Sequence, residues 1–187
     1  MKRTLIIASA LLMFVCAGCA KELPSPSAPP EPTLAPNTPG SLTITFDFER
    51  QSGVASNQYA VWIEDTDGNM VRTLYATNYT ASGGYKKRPD SIALWVERAM
   101  GKVDFDAVAG ATPQSGPVAY TMDCTDILPG TYYFYVEGTL RWKNYVLYTG
   151  EIEVGGESAG VEALAECADA TAKERGMVTN VKATYTM

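Results

Sequence analysis

From Ser41 onward, apolar and polar residues alternate with period two. Leu42, Ile44, Phe46 and Phe48 alternate with Thr43, Thr45 and Asp47. Tyr59, Val61 and Ile63 alternate with Ala60, Trp62 and Glu64, and Val71, Thr73 and Tyr75 with Arg72 and Leu74. Val118, Tyr120 and Met122 repeat the pattern, as do Tyr132, Phe134 and Val136, then Ile152 and Val154. Val181, Ala183 and Tyr185 close the chain. Side chains on a strand face opposite ways in turn, so each run can bury one face. Several such runs with turn signals between them, clearest at Asp67-Gly68 and Pro129-Gly130, predict a mainly β fold, an antiparallel sandwich over residues 41–187.

One segment has a different period. Pro89-Asp90-Ser91 is a helix start signal, Ile92, Trp95, Val96, Ala99 and Met100 fall at helical spacing, and Gly101 is a stop. The spacing predicts one short helix in a loop, packed over one end of the sandwich. Residues 155–176, rich in Ala and Glu, predict either a short helix or a long loop.

The N-terminus follows other rules. Lys2 and Arg3 precede an apolar run from Leu5 to Val15. A bilayer span needs roughly 20 apolar residues, so this run is a secretory signal and not a span. It ends in Cys16-Ala17-Gly18-Cys19, which resembles a bacterial lipobox. The resemblance implies cleavage after residue 18 and lipidation of Cys19, an anchor in the outer membrane or cell envelope with the domain periplasmic or surface-facing. Residues 19–40 then hold the lipidated cysteine and a linker. Seven of the chain's 11 prolines lie there. Proline withholds a backbone donor, so the segment should be an extended spacer reaching roughly 65 Å at about 3.1 Å per residue.

Composition removes whole classes of chemistry. The chain of 187 residues contains no histidine. A Ser-His-Asp or Cys-His system needs an imidazole, and so do most catalytic zinc sites. The net charge is −6, and loss of the signal takes Lys2 and Arg3 and no acid, which makes it −8. Nucleic acid, which demands a basic footprint, is an excluded partner. A hydrolase lacks both nucleophile and base. The chain reads as a carrier or binding protein rather than a stand-alone enzyme.

Several local features carry candidate chemistry. Asp65-Thr66-Asp67-Gly68-Asn69 begins like a calcium loop, but Met70 and Ala76 stand where the loop needs Gly and Glu, so a hairpin turn is expected. Cys124 and Cys167 are either a disulfide or two free buried thiols. Tyr132, Tyr133, Phe134 and Tyr135, followed by Trp142, Tyr145 and Tyr148, put aromatics on both faces of their strands. That means either core packing or an aromatic surface for a flat ligand. Lys86, Lys87 and Arg88 form the one basic cluster, in a Gly-rich loop suited to an anion.

The run Asp106-Ala107-Val108-Ala109-Gly110-Ala111-Thr112-Pro113 resembles the flavinylation motif of extracytoplasmic flavoproteins, among them subunits of the sodium-pumping NADH:quinone reductase. The resemblance implies that Asp106 opens the motif, Gly110 and Ala111 are its small pair, and Thr112 accepts FMN from a flavin transferase as a phosphoester. Ala109 stands where that family has Ser or Thr. A wider likeness, through QYAVWIEDTDGNMVRTLY, GGYKKRPDSIALWV, LPGTYYFYVEGTLRW and VLYTGEIEVG, resembles a family of predicted periplasmic proteins of unknown function. It implies an immunoglobulin-like sandwich and the company of flavin transferases and membrane redox proteins.

Two functions follow as expectations. The first is a lipid-anchored electron carrier with covalent FMN on Thr112, working with a membrane or periplasmic redox partner. Lys86, Lys87 or Arg88 would lie near the phosphate, and Tyr85 or Trp95 would flank the ring. The second is a structural or binding lipoprotein that shows an aromatic face to glycan, peptide or a partner subunit.

Overall fold

The computed structural model describes residues 36–53, 56–141, 144–166 and 172–187. The predicted signal, Cys19 and most of the spacer lie outside the described residues, as does Trp142. The described part forms two stacked sheets. The strands are β1 (Ser41–Phe48), β2 (Gln58–Glu64), β3 (Met70–Thr77), β4 (Ala109–Gly110) and β5 (Gly116–Asp123), then β6 (Gly130–Arg141), β7 (Asn144–Val154), β8 (Ala159–Glu162), β9 (Leu164–Glu166) and β10 (Val178–Thr186). One sheet runs β5-β1-β10-β8 and the other β4-β3-β2-β6-β7-β9. Neighbours are antiparallel except β3 and β4, which pair in parallel through Ala76–Ala109 and Thr77–Gly110.

The period-two runs became strands, and their apolar faces meet between the sheets. Leu42, Ile44, Phe46 and Phe48 of β1 join Tyr59, Val61 and Ile63 of β2 in one buried cluster. On β1 only that face is buried, as the alternation required. On β2 every residue is buried. The second face of β2 lies under a helical layer, where Ala60 and Trp62 pack with Ala76, Ile92, Trp95 and Ala99. Trp62 and Trp95 are completely buried there. Truncating either to alanine would cost about 3–5 kcal/mol.

That layer comes from the segment between β3 and β5. It holds α1 (Asn78–Ala81), a 3-10 turn (Gly84–Lys86), α2 (Ala93–Ala99) and α3 (Phe105–Val108). Helix α2 is the one expected from the spacing, but it packs on the outer face of the six-stranded sheet and not over one end of the sandwich. The other turns are too short to show a helical period, so a single helix was an undercount. Ser91 does not cap α2. Ile92 does, with φ of 43° and no side-chain cap of its own. The open N–H groups are instead answered from the sheet: Leu94 and Trp95 donate to the carboxyl of Glu137 on β6, at 3.3 and 2.9 Å.

Residues 155–166 correct another expectation. They are neither helix nor plain loop. β8 pairs with β10 and β9 with β7, so the chain changes sheets at Ala163. Edge strands gain their conformation from pairing, which outweighs the weak strand preference of Ala and Glu. The end of the expected segment does form a short helix, α4 (Ala172–Met177), which leads into β10.

Candidate functional site

The motif run occupies three different settings. Asp106 lies on α3, where its backbone is described and its side chain is not. Ala109 and Gly110 form β4, the edge of the six-stranded sheet. Residues 111–115 then cross to β5, the edge of the other sheet. Thr112 is partly exposed on this crossing loop, and Ala111 beside it is exposed.

Tyr75 of β3 fixes the loop's near end. Its hydroxyl donates to the carbonyls of Gly110 and Ala111, at 3.0 and 2.8 Å. Its ring stacks on Tyr59, with centroids 4.9 Å apart, and on Tyr120, at 4.6 Å, and those two rings also touch each other. The hydroxyls of Tyr59 and Tyr120 bond to each other. Burial pushes all three phenols above the ordinary tyrosine value; the bond between Tyr59 and Tyr120 raises Tyr59 further and partly offsets the rise at Tyr120. They are neutral at any ordinary pH.

The ring of Tyr75 also explains the glycine of the motif. A Cβ on Gly110 would stand 2.3 Å from Cε2 of that ring. Only a residue without a side chain lets strand β4 lie this close.

Beside Thr112 opens a cleft of about 380 Å³, lined by Arg50, Gln51, Ser52, Gly53, Ser56, Asn57, Gln58 and Thr112. Its far wall is the β1–β2 connection. Asn57 braces that connection, accepting from the N–H of Gln51 at 2.7 Å and donating to the carbonyl of Gln51 at 3.2 Å. The two walls are joined where the N–H of Arg50 donates to Oγ of Ser115, at 2.9 Å. Gln58 forms the floor, its Oε1 accepting from the hydroxyls of Thr77 and Thr80. Ser56 is 6% exposed, and its Oγ has no hydrogen-bond partner among the described residues.

The basic cluster lies elsewhere. Lys87 and Arg88 line a separate cleft of about 200 Å³ with Pro89, Asp90 and Ser91. Lys86 sits over the ring of Tyr85, with Nζ 5.8 Å from its centroid. None of the three lines the cleft that holds Thr112. Tyr85 packs edge-on to Phe105. Trp95 is fully buried and donates through Nε1 to Thr73, so it has no face to offer an external ring. Chemistry and chain proximity suggested these residues, which precede Asp106 by 11 to 21 positions. Arg50 and Ser56 were missed because only the fold brings the β1–β2 connection to Thr112.

The remaining candidates have packing or turn roles. Asp65 accepts from the N–H groups of Asp67 and Asn69 in the β2–β3 hairpin, and those bonds hold its carboxyl below the usual range. Cys124 is buried in the sandwich, and burial pushes its thiol up. Cys167 lies outside the described residues. Tyr132 and Phe134 are buried in the sandwich, while Tyr135 stacks on Trp62 with centroids 4.9 Å apart. Tyr135 and Tyr145 pack against the helical cluster and Tyr148 against the sandwich core, while Tyr133 is half-buried and belongs to neither cluster.

A family model described as "Predicted periplasmic protein (DUF2271)" matches residues 41–169. No curated protein and no solved structure matches the chain.

Proposed function

We propose a function on one premise: the chain belongs to this predicted periplasmic family. Within the cell envelope it is a lipid-anchored flavoprotein, attached through Cys19 and bearing FMN as a phosphoester of Thr112. It passes electrons to or from a membrane or periplasmic redox protein. One observation carries the reading. The hydroxyl at the end of the flavinylation-like run is partly exposed on a loop that crosses between sheet edges.

That placement suits modification by another enzyme. An acceptor must be reachable, and its neighbours must be small enough for a second active site to close on the backbone. Ala111 is small and exposed. Tyr75 holds the two carbonyls just before Thr112, so the hydroxyl is presented from a fixed stem. The cleft beside it fits a phosphoryl group: its described lining has one guanidinium, several amides, and a buried hydroxyl without a partner among the described residues. The ester requires a phosphoanhydride donor, a flavin dinucleotide. Oγ1 of Thr112 forms the new P–O bond, the anhydride P–O bond breaks, a nucleoside monophosphate leaves, and the threonine proton passes to a base of the transferase. Bound FMN supplies one- and two-electron chemistry that no side chain here supplies. The protein's part is to place it and tie it down.

The binding-lipoprotein reading needs an open aromatic face. Tyr132, Phe134 and Tyr135 are engaged in packing, which favours the carrier. Intact mass decides between them. The full chain is expressed with a transferase shown to be active on a control substrate, then denatured and weighed. An FMN-sized increase that is absent from Thr112→Ala is expected. No increase in the wild-type chain refutes the reading.

A further inference from the structure

We infer that the cleft between the β1–β2 connection and the Thr112 loop is a phosphoryl-binding subsite, with Arg50 as its cation and the Ser56 hydroxyl as its buried donor. The inference deepens the flavin reading, on which it rests for the identity of the ligand: the phosphoryl group of FMN.

The charge argues first. The chain has 21 acids against 15 bases. Yet the described lining of this cleft has one base and no acid. The other lining side chains are amides and hydroxyls, which solvate an anion without competing for it.

Ser56 argues independently. A buried hydroxyl without a partner is costly, and native structures keep few of them. Here it lines the same cleft as Thr112. A phosphoryl oxygen is the strong acceptor such a donor lacks.

Rigidity completes the case. Both polar atoms of the Asn57 side-chain amide bond to the backbone of Gln51, and Oγ of Ser115 accepts from the backbone N–H of Arg50. These bonds tie the main chain of one wall to the loop of Thr112. Preorganised donors lose little entropy on binding. Lys87 and Arg88 of the basic cluster line a different cleft, which lacks Thr112 and includes Asp90.

The test uses the full chain made without a transferase, so that Thr112 is free. Riboflavin, FMN and inorganic phosphate are titrated and followed by amide chemical shifts. FMN should bind about tenfold or more tightly than riboflavin, the discrimination expected of a charge-assisted contact. Phosphate alone should move the same amides. Arg50→Gln, on an exposed side chain, should abolish the preference for FMN over riboflavin. Ser56→Ala should reduce it while leaving the unmodified protein as stable or more so, because it removes an unpartnered group. A structural serine would lose stability instead. Equal affinity for FMN and riboflavin overturns the subsite, as does an Arg50→Gln chain that keeps the preference. The two failures are separable. If a competent transferase leaves Thr112 unmodified but the phosphoryl preference survives, the flavin reading falls and the anion site stands. If Thr112 is modified and Arg50→Gln takes up flavin at the wild-type rate with no phosphoryl preference in either chain, the reading stands and the subsite falls.

Discussion

Gly110→Ala isolates the contact that shapes the site. The φ of Gly110 lies outside the left-handed region, so the main chain itself accepts alanine. Space does not. The new Cβ would stand 2.3 Å from Cε2 of Tyr75 and 3.2 Å from Cδ2 and Cζ. The ring would have to withdraw by more than roughly 1 Å to restore ordinary contact. It is packed in a cluster with Tyr59 and Tyr120, and its hydroxyl is tied to Gly110 and Ala111. Overpacking of this kind costs about 1–3 kcal/mol. The lost chain entropy of glycine returns about 0.4–1 kcal/mol. A net destabilisation of about 1–2 kcal/mol is expected. In a Tyr75→Leu background the ring is gone, and the same alanine should be neutral or stabilising by under about 1 kcal/mol. The coupling is therefore about 2 kcal/mol, well above the roughly 0.5 kcal/mol of independent sites. Urea unfolding of the four chains, with m-values checked for constancy, reads it directly. An equal cost of Gly110→Ala in both backgrounds would refute the steric account.

Glu137 predicts a pH dependence. Burial raises its carboxyl from 4.5 to about 7, even though the N–H groups of Trp95, Leu94 and Ala93 favour the charged form. Below pH 4.5 it is protonated in both states and its contribution is complete, and as pH rises through 7 about 3 kcal/mol is lost. Denaturant unfolding from pH 5 to 8 should show this decline in the wild-type chain and a flatter profile in Glu137→Gln; equal slopes would remove Glu137 as the cause. Cys124, buried and with its thiol pushed up, should resist alkylation in a folded Cys167→Ser chain and react once urea unfolds it. Labelling at the same rate with and without urea would contradict its burial.

The strands were legible because one buried face leaves a period of two, and β1 shows it cleanly. β2 shows where the reading stops. Ala60 and Trp62 looked like the outer side of a strand, but a helical layer covers them. Alternation reports one face, and it cannot say what lies over the other. The cap of α2 was illegible for a similar reason: Glu137 is 43 positions beyond Leu94 in the chain. The Thr112 loop was readable as a short run of small residues. Its partner wall was not, because Arg50 and Ser56 carry no local signal and meet Thr112 only through the sandwich. The basic cluster shows the converse: it is conspicuous in charge, but the fold puts Lys87 and Arg88 in another cleft.

The absence of histidine now bears on the site itself. An envelope protein meets a wider range of pH than a cytoplasmic one, and imidazole is the side chain that changes charge across that range. The described lining of the Thr112 cleft contains no Asp, Glu, Lys, Cys or Tyr, only a guanidinium, amides, hydroxyls and backbone. A guanidinium keeps its charge throughout. The protein therefore contributes no ionisation of its own to phosphoryl binding between pH 5 and 9. What remains is the second ionisation of the free phosphate, near about pH 6. The affinity of the unmodified chain for FMN should follow that one ionisation and then stay level, while its affinity for riboflavin stays level throughout. A second inflection in the FMN profile, absent from Arg50→Gln, would show that a titrating group outside this lining reaches the anion, and the account of the cleft would have to include it.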